Sequence, residues 1–183
     1  AQNGAVITNS GIINNISGNF INNNAQLFGG AIANEGTITN VTANFVSNSA
    51  KSGGAIANTS LNILNPIINI VAQENNIEFR GNYLTEDLSL GGAIYNTGTV
   101  GLYADEGKNI TFIGGNESNK YDIDGIYNDI TGVLRINGDE TNAYAGTVNL
   151  QNVAGSGTTN IYGGRVNVAS NFTQKDLNIN AGT

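Results

Sequence analysis

Three acids lying close together, Asp122, Asp124 and Asp129, are the residues of this chain best suited to do chemistry. Clustered carboxylates are what glycosidic acid/base work or calcium binding requires. Asp122-Ile123-Asp124-Gly125 faintly resembles a calcium loop, but the further acidic ligands at regular spacing are missing. Asp139-Glu140 and Asp105-Glu106 fall in polar, glycine-containing stretches and read as solvated turns. With no His, no Cys and no Ser in a nucleophile-elbow setting, the usual residues of nucleophilic and metal-dependent hydrolysis are lacking. No catalytic residue, metal ligand or cofactor is therefore expected. The sequons beginning at Asn15, Asn40, Asn58, Asn109, Asn116 and Asn171 are what an Asn-, Ser- and Thr-rich composition generates by itself. Among the seven tyrosines, Tyr95 and Tyr127 occupy one column of the repeat described below and form the candidate contact surface.

The elements that would position these groups are strands. Charged residues make up 11% of the 183 residues, Gly contributes 25 and Pro 1, and Val, Ile and Thr recur in short runs between Asn/Gly clusters. That pattern is all-β, many short strands joined by turns. Disorder is the rival reading of so polar a composition, but the apolar residues recur too regularly for it. The net charge of -7 comes from scattered acids, and the seven Lys and Arg form no patch, so nucleic-acid binding is not expected. No apolar run is long enough to span a bilayer as a helix. The absence of Met at position 1 points to excision from a longer parent.

A repeat decides the fold class. Asn9 to Asn23 aligns without a gap over Asn34 to Asn48, an offset of 25 residues. Ahead of each repeat stands Gly29-Gly30-Ala31-Ile32, Gly53-Gly54-Ala55-Ile56 or Gly91-Gly92-Ala93-Ile94, with weaker copies at Gly4 to Ile7 and Asp122 to Ile126. The columns are Ile7, Ile32, Ile56, Ile94, Ile126; then Asn9, Asn34, Asn58, Asn96, Asn128; then Phe20, Phe45, Phe79, Phe112. Asn23, Asn48 and Asn82 follow the Phe by three residues, and Asn116 follows Phe112 one residue late.

Strand-sized pieces repeating every 24 or 25 residues predict a right-handed parallel β-helix, a β-solenoid whose coils lie about 4.8 Å apart. Stacked Ile and Phe would fill the interior, stacked Asn amides would bond along the axis, and Gly-Gly would make a tight corner. The third interval, Gly53 to Gly91, is longer by roughly a dozen residues. Its segment Ser60 to Val71 alternates as though to lengthen strands, and Tyr83 to Leu90 reads as an exposed loop. The repeat covers residues 1–131, and 132–183 read as less regular continuing coils of the same single unit.

Gly-Gly-Ala-Ile alternating with Phe-x-x-Asn, as in Gly29 to Ile32 with Phe45 to Asn48, resembles the repeats of the chlamydial polymorphic outer-membrane proteins. Tyr162 to Val168 looks like generic autotransporter passenger sequence. The resemblance implies a non-enzymatic, exported surface β-helix, an adhesin of the extracellular or outer-membrane-attached kind. It implies adhesion carried by the repeat tetrapeptides, and a membrane link only through other parts of a parent chain. The partner expected is a surface protein or glycan of a host or neighbouring cell, and uncapped coils would add end-to-end self-association. The alternative is a carbohydrate-active β-helix, a polysaccharide lyase or hydrolase, which would need acids of different coils to converge in one groove.

Overall fold

The computed structural model describes residues 6–59, 65–87, 90–114, 120–121 and 123–180, and these form nineteen strands and no helix. Many of the β-branched runs stop at or just before Asn or Gly, and the chain turns and returns one coil further on to pair parallel with the equivalent run. The result is a parallel β-helix.

One face is a six-stranded sheet whose adjacent rungs are Ile7–Asn9, Ile32–Asn34, Ile56–Asn58, Ile94–Asn96, Ile126–Asn128 and Val153–Ala154. The register pairs Ile7 with Ile32, Ile32 with Ile56, Ile56 with Ile94, Ile94 with Ile126, and Ile126 with Val153. Ile32, Ile56 and Ile94 are wholly buried, each contributing roughly 1.5–3 kcal/mol of hydrophobic stabilisation. Behind them Phe20, Phe45, Phe79 and Phe112 stack near-parallel at centroid separations of 5.1, 4.8 and 4.3 Å, one ring per coil.

The second sheet is forked. Its trunk is the pair of ten-residue strands Ile12–Ile21 and Thr37–Val46. Thr37–Val46 then pairs with two strands of the third coil, Ile67–Ala72 and Ile77–Arg80, and each starts a branch. One branch continues through Thr99–Ala104, Val133–Ile136, Thr158–Ile161 and Asp176–Ile179, the other through Asn109–Ile113, Thr147–Leu150 and Arg165–Val168. Both sheets run without a break past residue 131.

The Gly-Gly corner has two separate causes. Gly29, Gly53 and Gly91 have φ of 59, 62 and 74°, and a Cβ on Gly29 would lie 2.0 Å from the Ile32 carbonyl oxygen. Gly30 and Gly54 are needed for packing between coils, since a Cβ on either would lie 2.1 Å from the glycine carbonyl of the next coil.

Two expectations about the long coil are corrected. Ile67–Ala72 does not lengthen a strand; it takes the place of the first half of Thr37–Val46, with a shift of register between Ile38 and Val41, while residues 60–64 lie outside the described residues. Tyr83 to Leu90 is not all exposed loop: Tyr83–Leu84 is a strand paired with Ser49–Ala50, and Leu84 is fully buried. Only Thr85 to Asp87 project, and residues 88–89 lie outside the described residues. The apolar Leu84 fills the interior of a coil that its polar neighbours mark as a turn.

Two ladders of amides, buried but for the half-buried Asn23, run up the corners. In the first, each Asn donates its Nδ2 to Oδ1 of the next coil: Asn9 to Asn34 at 2.8 Å, Asn34 to Asn58 at 2.7 Å, Asn58 to Asn96 at 2.8 Å, Asn96 to Asn128 at 2.8 Å. Asn128 donates in turn to Oε1 of Gln174 at 2.7 Å. In the second, Asn23 donates to Asn48 and Asn48 to Asn82, each at 2.8 Å, and Asn82 donates to the Asp124 carboxylate at 2.7 Å. The fourth rung is thus Asp124; Asn116, the residue expected there from its spacing after Phe112, lies outside the described residues. Asp124 also accepts from the backbone N–H groups of Gly81 and Asn82. Its burial pushes its pKa up to about 7 against the pull of these hydrogen bonds.

The fold makes two measurements decisive. Ile32→Asp, which buries an unpaired charge in the Ile stack, should lower stability by more than about 4 kcal/mol, whereas Glu35→Ala stays within about 0.5 kcal/mol. Equal thermal shifts for the two variants would contradict the register. For Asp124, the folded chain holds the carboxyl proton more tightly than the unfolded chain does. The stability so contributed is present below about pH 4 and is lost as pH rises through about 7, by up to about 4 kcal/mol. The Tm difference between the native protein and Asp124→Asn should therefore shrink, in favour of the variant, from pH 4 to pH 8; a flat or opposite trend would show the carboxylate to be fully compensated.

Candidate ligand-contact surface

Where the second sheet forks, the chain adds residues at each coil: 73–76, 105–108, 137–146 and 162–164. These insertions stack into a ledge along one outer corner, held in part by Asn76 Oδ1, which accepts from the Asn109 N–H at 2.9 Å. On the trunk side the ledge overhangs the outward face of Ile12–Ile21 and Thr37–Val46, and a cleft of about 530 Å³ opens in the crotch of the fork. One wall carries Asn19, Asn40 and Asn44, the other Gln73, Asn75 and Asn76. Val71 and Ile77, both buried, form the apolar floor.

The trunk amides are positioned by outward ladders like the inner ones. Asn40 donates to Asn15 at 3.2 Å and Asn44 to Asn19 at 3.0 Å, while Asn44 Oδ1 accepts the Glu78 N–H at 2.9 Å. Unspent capacity remains. Asn40 Oδ1 is buried and has no partner among the described residues. The side chains of Gln73 and Asn75 are exposed on the ledge.

Beside the cleft, Tyr103 pairs in register with Val71, so it shares the same outer face. Its ring lies over Gly101, where a Cβ would come within 2.5 Å of Tyr103 Cζ and 2.6 Å of Asn69 Oδ1. Tyr144, from the longest ledge insertion, stacks on Tyr103 at 5.1 Å with the rings 5° apart. That insertion is pinned by Asn137, which accepts from the Ala104 N–H at 3.1 Å and donates to the Gly146 carbonyl at 3.0 Å. Asp139 caps its tip by accepting from Thr141 and Asn142, and the Thr141 hydroxyl holds its pKa below the usual carboxylate range. Burial pushes the Tyr103 hydroxyl up to about 12.

Glu140 stands exposed in a bend, as expected of a solvated turn, and makes two surface contacts there. It accepts from the Tyr162 hydroxyl at 3.0 Å and lies 3.6 Å from the Arg135 guanidinium, tying the insertion to two neighbouring strands. Nothing in the sequence grouped these residues, because Gly101 and Tyr103, Arg135 and Tyr144, and Tyr162 come from three successive coils and occupy no repeated column. Asp105-Glu106 does stand in a turn, closed by the Lys108 N–H donating to the Asp105 carbonyl at 2.9 Å.

Tyr95 and Tyr127 are paired in register on the opposite sheet, their centroids 5.9 Å apart and their planes tilted by 37°. Both are half-buried, and the Tyr95 hydroxyl donates to Asp129 at 3.2 Å. Burial, with the Asp129 charge second, raises the Tyr95 hydroxyl to about 12. The acids of the sequence cluster are not brought together. Asp124 is spent inside the coil on Gly81 and Asn82, Asp129 is spent outside on Tyr95, and Asp122 lies outside the described residues. Among the described residues no three acids, His or Cys group as metal ligands.

No family model matches the chain, and no curated protein or solved structure matches it either.

The Gly101 cradle is testable. Gly101→Ala should displace the Tyr103 ring, lower stability by about 1–3 kcal/mol, and bring the titration of one tyrosine from about 12 back toward 10 in an alkaline absorbance titration. An unchanged titration would mean that Tyr103 does not rest on Gly101.

Proposed function

We propose that this chain is a non-enzymatic, adhesive and load-bearing segment of an extracellular bacterial surface protein, of the autotransporter-passenger kind. The observation that carries this reading is where its polar groups are spent. The buried amides bond to their counterparts in neighbouring coils, which stiffens a rod, and the described acids of the candidate cluster are used one at a time. Acid/base hydrolysis of a glycoside uses two carboxyl groups facing one bond, and such a pair is not what these contacts favour. A rod with insertions gathered along one corner is suited to presenting a contact surface away from a cell.

The test is adhesion without turnover. Beads coated with the chain should bind cultured epithelial cells or other bacteria several-fold above beads coated with an unrelated acidic protein. Plant and bacterial polysaccharides incubated with the chain should keep their length by chromatography. Shortened polysaccharide would overturn the non-enzymatic half of the proposal, and bead binding no higher than the control would overturn the adhesive half.

A further inference from the structure

We infer that the cleft in the crotch of the fork is a binding site for a neutral oligosaccharide, an inference that rests on the adhesive reading and gives it a ligand class. The cleft, at about 530 Å³, has the size of a small-ligand site, for which about 300–1,000 Å³ is usual. Its walls are carboxamides, each offering a donor and an acceptor on one rigid group. Sugar hydroxyls also donate and accept, so facing rows of amides match a polyol with no net charge to desolvate.

The built-in imbalance lies on the trunk wall. Asn40 is anchored by its Nδ2 to Asn15, which leaves its buried Oδ1 without a donor among the described residues. A buried acceptor left unpaired costs about 1–3 kcal/mol, and because this oxygen is itself covered, a ligand hydroxyl recovers that cost by drawing the Asn40 side chain toward the cleft it lines. Across the cleft, the exposed side chains of Gln73 and Asn75 can close over the ligand. Val71 and Ile77 close the bottom of the cleft but are almost wholly covered, so the recognition rests on the amide walls.

Charge and backbone argue against other ligands. Among the described residues Glu74 is the only charged one lining the cleft, so uronate or sialic acid chains would meet repulsion without a compensating Arg or Lys. A peptide would seek either a free strand edge or a deep apolar pocket. The cleft lies over a sheet face where the trunk backbone is already paired between coils, and its floor residues are too covered to anchor a side chain.

The experiment is an NMR titration of the 183-residue chain, following side-chain amide resonances. The probes are four neutral hexasaccharides (gluco, manno, galacto and N-acetylglucosamine types), hexagalacturonate and hexa-alanine. At least one neutral probe should shift the Asn40, Gln73 and Asn75 signals saturably below 10 mM, with hexagalacturonate at least tenfold weaker. The double variant Gln73→Ala, Asn75→Ala, whose side chains are exposed, should keep its Tm and weaken binding at least tenfold. No saturable shift with any neutral probe overturns the inference, as does preferential binding of hexagalacturonate or hexa-alanine, or shifts that survive the double variant. Chromatography of the same samples separates the two readings. A shortened hexasaccharide would refute the non-enzymatic function while leaving the site, and absent binding would refute the site while leaving the rod.

Discussion

The hydrogen bond from the Nδ2 of one buried asparagine to the Oδ1 of the next is the constraint on which the rest of the structure depends. Each coil must bring an amide to the same point in space about 4.8 Å above the last, because a buried amide without its partner costs about 1–3 kcal/mol. The same Nδ2 groups also hold the backbone of the turn, as when Asn34 donates to the Gly36 carbonyl at 3.0 Å and to Ile67 at 3.0 Å. The ladders therefore fix the two corners of the coil along which they run. The corner that carries no ladder is free to change in length, and the chain inserts residues there at 73–76, 105–108 and 137–146 without disturbing either ladder.

The fork follows from that freedom. Thr37–Val46 passes the corner as one continuous strand, and the third coil covers the same distance with two strands and an excursion. Once the excursion exists, later coils must keep pairing with both branches, so the insertions stack rather than scatter. The cleft and the Tyr103 cluster are two sides of one event, the place where a straight strand meets a broken one.

The columns were legible because a solenoid repeats its environment, and a repeated environment selects a repeated residue. Ile32 over Ile56 and Phe45 over Phe79 could be read from identity at fixed spacing alone. The asparagines that point inward were legible for the same reason: Asn9 and Asn34 belong to a column of five copies and lie inside a corner, whereas Asn15 and Asn40 match over two coils and lie on the outer wall. Leu84 reads as loop because its polar surroundings outweigh one apolar residue that the interior captures. The candidate site was the least legible part. Tyr95 and Tyr127 stood out because they share a column, while the tyrosine, arginine and glutamate of the ledge occur once each and meet only through coils of unequal length.

Direction explains the ladder ends. All of these inner amides donate toward the C-terminal end of the solenoid, so whatever receives the last bond must present oxygen. Another asparagine could do so only by turning its own Nδ2 toward a further acceptor. Gln174 meets this with a side chain one methylene longer, its Nε2 reaching the Ala154 carbonyl at 3.1 Å. Asp124 meets it by having no donor at all when ionised, and it accepts from Gly81 and Asn82 as well. The acidic residue that looked most like chemistry is placed where a one-way chain of amides needs an acceptor, and its burial rather than any substrate accounts for its raised pKa.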